Sequence, residues 1–270
     1  MTRPSVLALA LGGLLSTGEL DLDLKPATVA AFDKYVKLTE ARMAGEIEGG
    51  SAFLWIDRQP EPQRTRLHDR LKRGEVLVES LETRDGKAEI DVPDGLIHHW
   101  IGTVFMPGAT LDRVMAFVKD YGNYSNHFAP TIVRSRIVSQ TGDHFELAMR
   151  TSTKKVITVV IDADYSVDYR TLGHDRVYTK SVARNFYEIA DAGTPHERRT
   201  PAEQGRGYLW RLNNYCSFQQ RPEGTYEQCE SISLTTEVPW VLRFIVMPFV
   251  TSVPRETLEF TLGRVRAGVK

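Results

Sequence analysis

The sequence predicts an α+β fold in which one curved antiparallel sheet closes on a long C-terminal helix. Three observations predict it. GLIHHWIGTVFMPG reads as a strand and is followed at once by a helical stretch, ATLDRVMAFVKDYGNYSNHF. Six extended segments come next, separated by turn signals such as Thr141-Gly142-Asp143 and Leu172-Gly173-His174. VPWVLRFIVMPFVTSVPRETLEFTL comes last, and it is the one large apolar helical stretch on offer. A sheet must bury a face against another layer, and here only that last helix can supply the layer.

Composition narrows the possibilities. The chain has 270 residues, 41% hydrophobic and 26% charged, enough for one large domain or a domain with an extension. Lys+Arg is 34 against Asp+Glu 35, a net charge of −1, so no global basic field attracts nucleic acid. The most basic short run, LHDRLKRG, reads as one solvated helix face.

The elements follow in order. MTRPSVLALALGGLLSTGELD has a positive start at Arg3, an apolar core from Val6 to Leu15 and small residues up to Gly18. This is the layout of a secretory signal peptide over residues 1–18, and it is too short to span a bilayer. The expectation is an exported chain, periplasmic or secreted; without that leader the protein is cytoplasmic. Residues 19–92 are expected to form an N-terminal α/β extension. Its first part is an amphipathic helix begun by Pro26, with Val29, Phe32, Val36 and Met43 at helical spacing and Gly49-Gly50 as the stop. SAFLWIDR reads as a short strand, PEPQRTRLHDRLKRG as a polar helix and GEVLVESLE as extended. Residues 93–270 are expected to form the main domain. Thr110 is placed to cap its first helix, and AGTPHERRTPAEQGRG reads as a mobile polar loop between two strands.

At this point the chain resembles the SRPBCC superfamily, also called START-like or helix-grip, which includes polyketide cyclases and birch-pollen-allergen-like proteins. The matching stretches are IGTVFMPGATLDRVMAFVKDYGNYSNHFAP, the pair GYLWRLNNYCSF and YEQCESISLT, and the closing VPWVLRFIVMPFVTSVPRETLEFTL. The resemblance begins at Pro93. It implies a hydrophobic cavity between the sheet and the C-terminal helix, and it carries no catalytic residue onto this chain.

No constellation points to metal or nucleotide chemistry. Seven histidines invite a metal reading, but His98 and His99 are adjacent in a strand and point to opposite faces. His127, His144 and His174 lie on separate elements without metal-ligand spacing. No GxSxG elbow is present, and the glycines of EQGRGYLW lead into a strand where a phosphate cradle needs a helix start. No cofactor is expected.

The aromatic residues are placed to line a pocket. Trp100, Tyr121, Tyr124, Phe128, Tyr187, Trp210, Phe244 and Phe249 are the candidate ligand-binding residues. Surface positions are expected for Arg134, Arg150 and Arg211. The expected function is non-catalytic binding or carriage of a lipid or other small hydrophobic ligand. The alternative is a cyclase or aromatase type of enzyme using groups such as Tyr187, Arg211, His98 and Glu230.

Two local readings remain. RPEG at residues 221–224 fits a type I turn with Gly224 as a bulge. That register sets Cys216 opposite Glu230 and puts Trp210, Leu212, Cys216 and Phe218 on one face with Ile232 and Leu234. A plain two-residue loop would set Cys216 against Cys229, so the bulged register predicts no disulfide. The closing segment is broken by Arg243 and too short in its charge-free run to span a membrane. Pro248 predicts a helix over residues 240–247, a break over 248–253 and a second helix from Pro254. That helix has Leu258, Leu262 and Val265 toward the sheet, with Arg255, Glu259 and Arg264 outward. Phe244 and Phe249 are expected to roof the cavity on a movable wall.

Overall fold

The computed structural model describes residues 24–49, 52–155, 157–237 and 243–269, and of residues 243–250 the backbone only. The expected leader and the roofing side chains of Phe244 and Phe249 lie outside the described residues.

Helix α1 (Pro26–Glu48) carries proline in its first turn and buries Phe32, Tyr35, Thr39 and Met43, a stripe at three- and four-residue spacing. A short 3-10 turn (Trp55–Arg58) follows where a strand was expected. Leu54 and Ile56 are both fully buried there, and the Trp55 N–H donates to Gln228 Oε1 at 2.5 Å. That partner replaces the strand ladder the segment would otherwise need. Helix α2 (Gln63–Lys72) buries Leu67 and Leu71. Strands β1 (Leu77–Ser80) and β2 (Gly95–Pro107) lead into α3 (Leu111–Val118), whose cap Thr110 accepts from the Arg113 N–H. A 3-10 turn at Tyr121–Asn123 and the short α4 (Tyr124–His127) precede β3 (Ile132–Thr141), β4 (His144–Lys154), β5 (Thr158–Thr171) and β6 (Arg176–Ala190).

The loop expected after β6 is partly ordered. Arg198–Pro201 forms β7 on the edge of β6, and the Trp210 Nε1–H donates to the Ala202 carbonyl at 3.0 Å. β8 (Arg211–Arg221), β9 (Gly224–Thr236) and α5 (Arg243–Gly268) complete the chain. All pairings are antiparallel, in the order β1-β2-β9-β8-β6-β5-β4-β3. No helix among the described residues is long and apolar enough to cross a membrane.

Both faces of the sheet are covered around β2, β9 and β8, whereas β3 at the far edge is exposed. α5 lies on the inner face over β1, β2 and β9, and one core cluster there joins Val104, Leu258, Leu262 and Val265 to Tyr121, Phe128 and Phe145. On the outer face α1 buries Phe32 and Tyr35 with Tyr215 and Ile232. α2 buries Leu67 and Leu71 with Phe105 and Tyr226.

This double cover overturns the bulged register. β8 and β9 pair through a plain two-residue loop, with Arg221 opposite Gly224 and Cys216 opposite Cys229. The two cysteines form a disulfide, with Cα atoms 4.1 Å apart. The bulged register gathers the apolar set on a single face. With both faces buried, Cys216 and Phe218 serve the inner core, whereas Ile232 and Leu234 serve the outer one. Gly224 meets a different demand. A Cβ there would strike the Met106 carbonyl and lie 2.8 Å from the Gly108 nitrogen, so its glycine allows close approach to the end of β2.

α5 also departs from expectation. It runs unbroken from Arg243 to Gly268 through both Pro248 and Pro254. Each proline costs roughly 3 kcal/mol in a helix interior, while each buried Leu or Val of the stripe returns roughly 1.5–3 kcal/mol. Leu258, Leu262 and Val265 are buried against the sheet as expected, and Arg255 and Glu259 are exposed. Arg264 is half-buried instead, donating from Nε to the His127 carbonyl at 2.6 Å.

Gly102 seats this helix. A Cβ at residue 102 would run into Leu262 and lie 3.0 Å from Leu258 Cγ. Gly102→Val should therefore cost about 1–3 kcal/mol through overpacking, read as a fall in melting temperature. An unchanged melting temperature would mean that α5 does not depend on this contact.

Candidate ligand-binding site

The strand registers arrange the inner face in rows that cross the sheet. The first holds His98, Ser233, Leu212, Ala183, Tyr165 and Leu147. The second holds Trp100, Ser231, Asn214, Ser181 and Val167. The third holds Gly102, the Cys229–Cys216 disulfide, Thr179 and Tyr169. The fourth holds Val104, Glu227, Phe218 and Val177.

Accessibility differs between the two faces of β8. Its outer-face residues Asn213, Tyr215 and Ser217 are buried, whereas Leu212, Asn214 and Cys216 on the inner face are only half-buried. Trp100, Ser231, Tyr165 and Met149, on the inner face of other strands, are likewise half-buried. A central strand keeps accessible inner side chains only where its covering layer stands off from it. The rows of Leu212 and Asn214 keep some accessible surface and lie beyond β1, β2 and β9, the strands that α5 covers.

An aromatic wall closes one side of this region. The Tyr121 and Tyr169 hydroxyls are hydrogen-bonded at 2.5 Å, and the Tyr124 hydroxyl donates to the Val118 carbonyl at 2.5 Å. The Tyr121 ring lies 4.9 Å from that of Tyr124 and 5.2 Å from that of Phe145, and Tyr124 meets Phe128 edge-on. Burial raises the pKa of Tyr121, Tyr124 and Tyr169 well above that of an ordinary phenol. Burial likewise pushes Tyr165 up to about 12.

His98 on β2 and Glu227 on β9 are two further ionisable groups of the inner face. His98 donates or accepts through Nε2 with Thr235 Oγ1 at 3.0 Å, and burial lowers it to about 4, so it is neutral. Glu227 is buried to 3% exposure, and its Oε2 has no hydrogen-bond partner among the described residues. Its Oε1 lies 3.5 Å from Cys229 Sγ, a disulfide sulfur that carries no hydrogen, so any bond there is donated by a protonated carboxyl. Burial raises Glu227 to about 8, consistent with a neutral acid. Cys216, Cys229 and Glu227 place three potential ligand atoms within 4.8 Å of one another. The sulfurs are bonded to each other and offer no thiolate.

The outer face holds a different polar chain. Tyr35 Oη accepts from the Thr83 N–H at 2.8 Å and donates to His99 Nδ1 at 2.9 Å. That leaves His99 Nε2–H to donate to Glu230 Oε1 at 2.6 Å, and Arg42 donates to Glu230 and Glu46. For Arg42, burial works to lower the pKa and is outweighed by Glu230 and Glu46, so the net shift is upward. Every member has its partners. This is a brace between α1 and the sheet.

Of the expected ligand-binding residues, Trp100, Tyr121, Tyr124 and Phe128 come together in the inner core cluster. Two others do not join them. Tyr187 lies on the outer face, with the Arg199 guanidinium 3.5 Å from its ring centre, because it pairs with Asp162 and Pro201 in a row opposite Arg150. Trp210 is fully buried at the sheet end, in a separate cluster that holds Ala163 and Ala183 as well as Ile232 and Leu234. The alternative catalytic set disperses as well: Glu230 sits in the brace, Arg211 pairs with Glu203, and only His98 faces inward. Arg150 is paired with Asp162 and Glu197. Glu227, Tyr165, Tyr169 and the Ser231, Asn214 and Ser181 row escaped the sequence reading. For Glu227 and Ser231 the signal was the largely polar residue at every second position of TYEQCESISLTT, which reads as a solvent face unless both faces are known to be covered.

No protein-family model matches the chain, and no curated protein matches it by sequence. Solved structures do match. A STAR-related lipid transfer protein fragment from Xanthomonas axonopodis has a TM-score of 0.41 and 13% identity, over 67% of this chain and 98% of that one. The di-domain ARO/CYC StfQ from the steffimycin biosynthetic pathway has 0.42 and 13%, over 64% of this chain and 50% of that one. Human STARD10 has 0.43 and 9%, over 78% and 82%. Likeness at this level concerns the course of the chain and carries no argument about activity. The arrangement here is a nine-stranded antiparallel sheet with its C-terminal helix on the inner face, a helix-grip arrangement.

Proposed function

We propose, from the helix-grip arrangement of this chain, that it is a binding or carrier protein for a lipid or other small hydrophobic molecule. The molecule is held between the inner sheet face and α5. The observation that carries this reading is the half-buried inner face of β8, beside Trp100, Tyr165 and Met149 and opposite a fully covered outer face. Apolar and aromatic side chains left accessible inside a fold favour an apolar occupant. Export of the chain is part of the proposal, and the Cys216–Cys229 disulfide supports an oxidising compartment. Native mass spectrometry with organic extraction of freshly purified protein is the test. A co-purifying apolar molecule is expected. A protein that is empty and whose melting temperature ignores a broad lipid panel would sink the reading.

One observation favours a second reading, catalysis of the cyclase type. Glu227 is a buried acid with an unpaired oxygen near the tyrosine pair, the kind of group that donates a proton within an apolar site. Returning the extracted molecule to stripped protein separates the two. An unchanged mass and chromatographic retention mean carriage, and a change in either means chemistry, since ring closure without loss of water leaves the mass as it was.

A further inference from the structure

We infer that the molecule bound on the inner face is an uncharged amphipath, and that Ser231, Asn214 and Ser181 receive a hydroxyl or carbonyl group at its polar end. The inference rests on the binding reading above and adds the chemistry of the ligand.

The three residues stand directly opposite one another on β9, β8 and β6, in one row. Neighbouring strands lie about 4.8 Å apart, so the row presents two hydroxyls and an amide along roughly 10 Å. All three are half-buried, and their side chains have no hydrogen-bond partner among the described residues. Their neighbours are mixed. Trp100 and Val167 end the row, Ser233, Leu212 and Ala183 lie to one side, and the disulfide and Thr179 lie to the other.

Central strands covered on both faces ordinarily carry aliphatic residues at such positions. Polar groups retained there need a partner, which can be water or a ligand. A hydroxyl and an amide each donate and accept, so together they match a ligand hydroxyl or carbonyl. His98 on the neighbouring row is already engaged with Thr235.

Charge decides what the row does not take. On β2, β9, β8 and β6, the inner-face residues of these rows include no lysine or arginine. The ionisable groups there, His98 and Glu227, carry no partner cation for a phosphate or carboxylate, and none of the three row residues can neutralise an ammonium. Among the described residues of these rows an ionic head group would find no opposite charge to pair with, which is costly.

The test uses the full chain stripped of lipid and three fluorescent probes that differ only at one end: pyrenyldodecane, pyrenyldodecanol and pyrenyldodecanoate. The alcohol should bind about ten-fold tighter than the alkane, the value of one net hydrogen bond, and tighter still than the carboxylate. In the triple variant Ser181→Ala, Asn214→Leu, Ser231→Ala, the alkane should bind at least as well as before and the preference for the alcohol should vanish. Equal binding of alkane and alcohol to the natural protein, or a preference for the carboxylate, would overturn the inference while leaving the carrier reading intact. Retention of the preference by the triple variant would also overturn it. Failure of all three probes to bind would count against the carrier reading itself.

Discussion

Glu230→Ala should cost about 3 kcal/mol of stability, the low end of the range for breaking a buried ion pair. Glu230 is buried on the outer face, accepts the His99 Nε2–H and pairs with Arg42. Alanine would leave a buried imidazole N–H without an acceptor. Arg42 would retain Glu46 and a side chain 36% exposed, which keeps the loss from reaching the top of the range. Glu230→Gln keeps an acceptor for His99 and removes only the charge, so about 1–2 kcal/mol is expected. Urea unfolding of the two variants decides the matter. A loss below about 1 kcal/mol for the alanine variant would mean that the brace does not hold α1 to the sheet.

Glu227 should behave in the opposite sense. Its carboxyl has an ordinary value of 4.5 when unfolded and is raised to about 8 by burial. Below about 4.5 both states hold the proton. Between about 4.5 and about 8 the native state holds it while the unfolded chain has released it, so each rise in pH favours unfolding. Stability is therefore greatest in acid with respect to this group and falls as pH rises through that window. At 1.36 kcal/mol per pH unit the fall is on the order of 5 kcal/mol. Glu227→Gln has nothing to titrate and should lose this slope, and Glu227→Leu should be more stable than the natural chain at pH 8. Melting curves across the window test both. Parallel pH dependence in the natural and Gln variants would show that Glu227 is not held as a neutral acid. A stabilised Glu227→Leu that no longer holds or converts its molecule would mark a residue kept for function against the interest of the fold.

Much of this molecule was legible as pattern. Phe32 and Met43 at helical spacing after Pro26 gave α1, Thr110 gave the cap of α3, and Leu258, Leu262 and Val265 gave the buried stripe of α5. These signals are local, because side-chain period and capping chemistry act within a few residues. The candidate site was legible only in part. Trp100, Tyr121, Tyr124 and Phe128 were chosen as aromatic residues and do converge. Tyr187 was chosen on the same ground and faces the other way, since strand register decides the direction of a side chain.

By itself the sequence determined the order and kind of elements, the antiparallel sheet and the helix that closes it, because hydrophobic period and turn residues carry that information along the chain. Tertiary structure alone decided the rest. It covered the second sheet face with α1 and α2, and this removed the one-face rule on which the β8–β9 register had been argued. Cys216 then met Cys229. It held α5 unbroken through two prolines, since packing on β2 outweighed the lost backbone bonds. It also turned alternate polar residues of β9 inward, Glu227 and Ser231 among them. A sequence shows that residues alternate, but which face becomes the interior depends on everything else that folds against it.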